Sequence, residues 1–141
     1  MKLNLIYCFV LLTLLNLMSM PLINIDHRET VSLNGNWSII IDPYQLGYYN
    51  YRFEPDANGF FKNHKPEKRW DRVEYSFDTD LKLHVPGDWN SQKESLYLYE
   101  GTIWYQTDFN VQKKPDERLF LYFGAVNYHA RVYLNGKKLG E

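Results

Sequence analysis

An all-β sandwich or barrel is the fold class that the sequence predicts, and three observations predict it. Apolar side chains recur at every second position in several short segments, turn residues separate those segments, and no stretch beyond the N-terminal apolar run carries a 3.6-residue apolar stripe. Period two marks a half-buried strand because successive side chains leave the backbone on opposite faces.

The chain opens with one positive charge at Lys2 and then has no charged side chain until Asp26. Residues 5–17 are apolar apart from Thr13 and Asn16. A basic start followed by an apolar middle reads as a secretory signal peptide over residues 1–22. Ser19 is present near its end but no small-x-small pair is, so an uncleaved membrane anchor stays open as the alternative. The expected location is therefore outside the cytoplasm, periplasmic or extracellular, or membrane-anchored if the segment is retained. Removing it leaves roughly 115 residues, the usual size of one domain with one core. Cys8 lies inside the apolar run and no cysteine follows it. An exported domain without disulfides depends on its core, which suits a sandwich better than a small stapled module.

Residues 36–42 (NWSIIID) place Trp37, Ile39 and Ile41 on one face, with the turn dipeptide Asn34-Gly35 before them and Pro43 after them. From 43 to 70 the alternation dissolves. Tyr44, Tyr48, Tyr49, Tyr51, Phe53, Phe60 and Phe61 are interleaved with Gly47, Pro55 and Asn58-Gly59. So many aromatic rings predict a long, ordered excursion, packed or functional. Residues 81–85 (LKLHV) alternate again and stop at Pro86-Gly87-Asp88, a turn. The longest expected strand is 102–111, with Ile103, Tyr105, Thr107, Phe109 and Val111 on one face and Trp104 on the other. After the polar reversal at 113–117, residues 118–123 (RLFLYF) return with Leu119, Leu121 and Phe123 inward. Residues 128–134 follow, with Tyr128, Ala130, Val132 and Leu134 inward. Asn135-Gly136 is a strong hairpin signal, since a type I′ turn needs positive φ at both central positions. Only five residues come after it, which predicts a fragment or truncated frame whose sheet edge stays open.

Lys and Arg total 16 against 17 for Asp and Glu, a formal charge of −1 with no run of either sign longer than two. That pattern argues against a nucleic-acid partner, which requires clustered cations. His27, His64, His84 and His129 show no metal-ligand spacing, and no cofactor is expected. Asp78 and Asp80 are the closest carboxylate pair of the polar stretch, and such neighbours belong to a solvated loop. Asp88-Trp89-Asn90 and Tyr99-Glu100-Gly101 set aromatic rings beside hydrogen-bonding groups in turns. Sugars are recognised by that mixture, ring faces packing on C–H bonds and polar groups pairing with hydroxyls. Packing of Trp89 and Tyr99 against the domain is the competing explanation. For Trp37 and Trp104, inside strands, packing is the expected role.

Four pieces of the chain carry a resemblance. Ser32-Leu33-Asn34-Gly35-Asn36-Trp37, Val85-Pro86-Gly87-Asp88-Trp89-Asn90, Tyr99-Glu100-Gly101-Thr102-Ile103-Trp104-Tyr105, and residues 121–136 (LYFGAVNYHARVYLNG) stand in the order seen in family 2 glycoside hydrolases. Residues 26–141 resemble part of their N-terminal sugar-binding jelly-roll domain, a galactose-binding-like β-sandwich, as found in β-glucuronidases and β-galactosidases. The resemblance implies a support or sugar-binding domain that works with an immunoglobulin-like domain and a catalytic barrel if the frame continues. It also implies a β-linked galactoside or glucuronide as the carbohydrate partner, while the exposed tyrosines suit a homo-oligomer. Retaining glycosidases need two carboxyl groups about 5 Å apart. In this family both are glutamates of the barrel, the acid following an asparagine, and no Asn-Glu dipeptide occurs here. No catalytic residue is therefore assigned and the chain itself is expected to be inactive. The resemblance makes Asp88, Trp89, Asn90, Tyr99, Glu100 and Gly101 candidates for the rim of the sugar site. A free-standing carbohydrate-binding module and a purely structural interface domain are the alternatives.

Overall fold

The computed structural model describes residues 27–50, 52–55, 68, 70 and 75–141. The expected signal segment 1–22 with Cys8, the aromatics Tyr51, Phe60 and Phe61, the turn Asn58-Gly59 and His64 lie outside the described residues. The chain divides into two units, Met1–Ser32 and Leu33–Glu141. Residues 27–32, the described part of the first, are all exposed. Everything below concerns the second, which is an all-β fold.

Strand β1, Gly35–Asp42, is the centre of an antiparallel three-stranded sheet. It is flanked by β2, Lys82–Val85, and β3, Thr102–Gln106. The registers Trp37↔Leu83, Ile39↔Tyr105 and Ile41↔Ile103 put the alternating apolar residues on one face, as period two requires. Ile39, Leu83 and Leu96 form the buried centre of that face, and Ile41, Leu81, Trp89, Tyr99, Ile103 and Tyr105 pack around it. Each such aliphatic side chain contributes roughly 1.5–3 kcal/mol when fully removed from water. Trp37 lies toward the start of the strand, half-buried, and its indole N–H donates to the Leu33 carbonyl at 2.7 Å.

The opposite face is not simply polar. Ile40 is buried there beside Asp42, which is completely buried. Its carboxylate accepts from the backbone N–H groups of Leu46 at 2.8 Å and Gly47 at 3.1 Å, and from the Trp104 indole N–H at 2.9 Å. One acid thus satisfies the turn that Pro43 forces at the end of β1 and ties β1 to β3. A buried carboxylate is tolerated only with such partners.

A second, two-stranded sheet joins β4, Val132–Leu134, to β5, Lys137–Gly140. Asn135 and Gly136 have φ of 49° and 76°, the two positive values that a type I′ turn demands. The expected hairpin is present, with an irregularity in the ladder between Val132 and Tyr133.

Three expectations need correcting. The strand expected over 102–111 stops at Gln106, residues 118–123 form no strand at all, and of the strand expected over 128–134 only Val132–Leu134 forms, with Tyr128 and Leu134 exposed rather than inward. Alternation is a property of side chains, whereas a strand is completed by a neighbour's N–H and C=O groups. Residues 107–131 have no ladder partner among the described residues, so the pattern exists without the element. In the aromatic excursion, Tyr48 and Tyr49 meet edge to face at 4.9 Å, and Tyr49 is bridged to Pro55. Asn50 holds that turn, its side-chain oxygen accepting from the N–H groups of Arg52 and Glu54.

Candidate functional site

The six sequence-nominated residues come together in one clasp between β2 and β3. The chain leaves β2 through Gly87, makes a single helical turn α1 at Trp89–Gln92, then a 3-10 turn at Glu94–Leu96, and enters β3. Asp88 caps α1, accepting from the Ser91 backbone N–H at 2.8 Å and from its hydroxyl at 2.8 Å. These bonds from Ser91 hold the Asp88 carboxyl below the usual carboxylate range. Gln92 reaches back to β2, accepting from the His84 N–H and donating to the His84 carbonyl, as a neighbouring strand would. A Cβ on Gly87 would stand 2.6 Å from the Gln92 amide and 3.1 Å from the His84 carbonyl, so a side chain there would disturb this rung.

Trp89, Asn90 and Tyr99 are fastened to the clasp itself. The Trp89 ring packs on the core, and its indole N–H donates to the Tyr99 carbonyl at 3.2 Å. The Asn90 amide faces three carbonyls, those of Leu96 at 2.7 Å, Tyr97 at 3.1 Å and Tyr99 at 3.3 Å. The Tyr99 hydroxyl donates to the Thr102 carbonyl at 2.9 Å. Burial pushes that hydroxyl's pKa up, with smaller electrostatic contributions from the Asp42 carboxylate and from Tyr75. A Cβ on Gly101 would meet the Tyr99 hydroxyl oxygen at 2.5 Å and the ring carbon bearing it at 2.6 Å, so a side chain there would have to push the Tyr99 ring aside. Glu100 is exposed beside it.

What the clasp presents outward is a pair that sequence reasoning missed. Tyr97 is 69% exposed and Leu98 86% exposed, and with Glu94, Ser95 and Tyr99 they line a shallow open hollow. The signal was present in the spacing. The Tyr99 N–H closes a turn onto the Leu96 carbonyl at 3.0 Å and both side chains pack on the core, so the two residues between them, Tyr97 and Leu98, face solvent. Asn90, which grips the Leu96, Tyr97 and Tyr99 carbonyls, keeps this display fixed.

A second aromatic group lies on the Asp42 side. The Trp104 and Tyr133 rings are 5.8 Å apart, and the Arg131 guanidinium sits 3.7 Å from the Tyr48 ring centre, within cation–π range. Burial pushes the Tyr133 hydroxyl's pKa up. Near it Glu141 pairs with Lys138 and lies 3.0 Å from the His129 ring nitrogen Nε2. His84 is exposed, as expected for an outward strand position, and His129 is exposed outside the strands. Among the described residues no three His, Cys, Asp or Glu side chains cluster as a metal site requires, and no helix is long and apolar enough to cross a membrane.

No family model matches the chain. It is similar to a β-glucuronidase from Paenibacillus borealis, with 26% identity over 98 residues. That stretch is 67% of this chain and 15% of the relative, so the chain matches about a seventh of that protein's length. The likeness points to a glycoside hydrolase relationship.

Proposed function

We propose that the chain is the sugar-binding or supporting β-sandwich domain of an exported β-glycosidase, of jelly-roll type. In this reading the partner carbohydrate is a terminal β-linked galactoside or glucuronide. The catalytic carboxylates belong to other domains, and the chain alone is inactive. The observation that carries the reading is the similarity to a β-glucuronidase over most of an all-β chain. The clasp adds physical support for a bracing role. The Trp89 indole, the Asn90 amide and the Tyr99 hydroxyl all bond inside the chain, so residues 88–101 form a preset support. Full-length activity, substrate and partners are part of this proposal.

A panel of chromogenic β-galactosides and β-glucuronides tests it. No turnover above a buffer blank is expected from the chain alone, and turnover would overturn the assignment of catalysis to other domains. A second reading, a free-standing carbohydrate-binding module, is favoured by the exposed Tyr97 and Leu98. It requires binding to a glycan panel that Tyr97→Ala abolishes while the melting temperature holds. Flat titrations across the panel would leave support as the function.

A further inference from the structure

Phe53 combines two features that fold stability alone does not favour. It is 74% exposed, and its φ of 57° lies in the left-handed region, which a bulky side chain rarely enters. The turn enforces this conformation. Asn50 donates its backbone N–H to the Glu54 carbonyl at 3.0 Å, and its own carbonyl accepts from the Phe53 N–H at 2.9 Å. The Asn50 side-chain oxygen accepts from the N–H groups of Arg52 at 2.8 Å and Glu54 at 3.0 Å, and its amide donates to Glu54 Oε2 at 3.0 Å. The Tyr49 ring lies 6.4 Å from the Phe53 ring at an interplanar angle of 36°, and Tyr48 meets Tyr49 edge to face. Glycine or asparagine would close such a turn with less strain, so a phenylalanine held there is an outlier that points to a use.

We propose that the Tyr49 and Phe53 rings form a stacking platform for the pyranose ring of a β-linked sugar, with Glu54 as an acceptor for its hydroxyls. This deepens the carbohydrate partnership proposed above and rests on it. The surroundings of Phe53 select the class of ligand. A protein partner's pocket calls for a ring encircled by apolar neighbours that exclude water, whereas Asn50, Arg52 and Glu54 are all exposed and polar. A nucleic acid calls for clustered cations, and here the charges of Arg52 and Glu54 cancel. A sugar calls for an apolar ring face against its C–H bonds and hydrogen-bonding groups at its edge, which is the combination the turn offers. Asn50 fixes one oxygen of the Glu54 carboxylate, while Oε1 takes no hydrogen bond among the described residues and is open to a hydroxyl. The hydrogen-bonded turn sets the platform before the ligand arrives, which lowers the entropy lost on binding.

Saturation-transfer difference NMR on the whole chain, with methyl β-galactoside and methyl β-glucuronide as separate probes, tests the platform. Transfer to the C–H protons of at least one probe is expected, with a Kd on the order of millimolar, as an open platform of few contacts implies. Phe53→Ala should weaken that binding about tenfold or more, and Phe53→Trp should keep or tighten it. Tyr97→Ala, on the clasp, should leave it unchanged. Phe53→Gly removes the ring and the strain together, so it should abolish binding and raise the melting temperature by roughly 2–5 °C. Far-ultraviolet circular dichroism confirms that each variant is folded. No transfer to either probe overturns the platform and leaves the assignment of catalysis to other domains to its own turnover assay. Transfer that survives Phe53→Ala overturns it as well while keeping a carbohydrate partner elsewhere on the chain. A melting temperature that falls in Phe53→Gly would show that the turn holds Phe53 for stability, and would also overturn it.

Discussion

Residues 81–106 and residues 107–131 have much the same alternating, aromatic-rich composition, yet only the first region is locked in place. The first has β1 as a hydrogen-bonding partner, a buried face centred on Ile39, Leu83 and Leu96, and a clasp whose polar groups answer one another. The second has the pattern with no ladder partner among the described residues, and Phe109, Leu119, Phe120 and Phe123 remain exposed. The difference teaches that period-two alternation supplies a face, and that a ladder and a covering layer turn the face into structure.

The largest effect should come from the core of the first region. Leu96→Ala is expected to cost about 2–5 kcal/mol in chemical denaturation, from lost burial and the cavity left under the sheet. Phe120→Ala in the second should stay within about 0.5 kcal/mol, since the ring is 57% exposed. Equal losses would erase the contrast. Next comes Asp42→Ala, expected to cost about 2–3 kcal/mol, because the Leu46 and Gly47 N–H groups and the Trp104 indole lose their shared acceptor. Trp104 fluorescence should shift with it. Gly101→Ala should cost about 1–3 kcal/mol by forcing Tyr99 away from Thr102. A melting temperature equal to that of the native chain would show that the clasp is looser than its geometry.

The smallest effect concerns the cap of α1. Its folded-state pKa being depressed by the Ser91 bonds, Asp88 stabilises the fold fully above the ordinary carboxylate pKa. That contribution is lost as pH falls through the lowered value. Comparing melting temperature against pH for the native chain and Asp88→Asn should show a gap near neutrality that closes in acid. A gap independent of pH would assign the cap to shape rather than charge.

Much of the three-stranded sheet was legible in the sequence. Ile39 and Ile41, Leu81 and Leu83, and Ile103 and Tyr105 declare their faces by spacing alone, Pro43 marks the end of β1, and Asn135-Gly136 names its turn type. The candidate rim residues also proved to be neighbours in space. What the sequence withheld depends on distant partners. Asp42 looks like an ordinary turn carboxylate, and only Trp104, 62 residues away, shows why it is buried. Gln92 carries no motif, yet it completes a ladder rung on His84. Residues 118–123 show the converse, since local pattern cannot reveal that no strand lies alongside among the described residues.

Hydrogen exchange on the chain tests the central contrast most directly. Amides of Ile39, Ile41, Leu83 and Tyr105 should exchange slowly, at rates set by unfolding of the sheet, while those of residues 119–128 should exchange almost as fast as in an unfolded peptide. Comparable protection in the two regions would contradict the account.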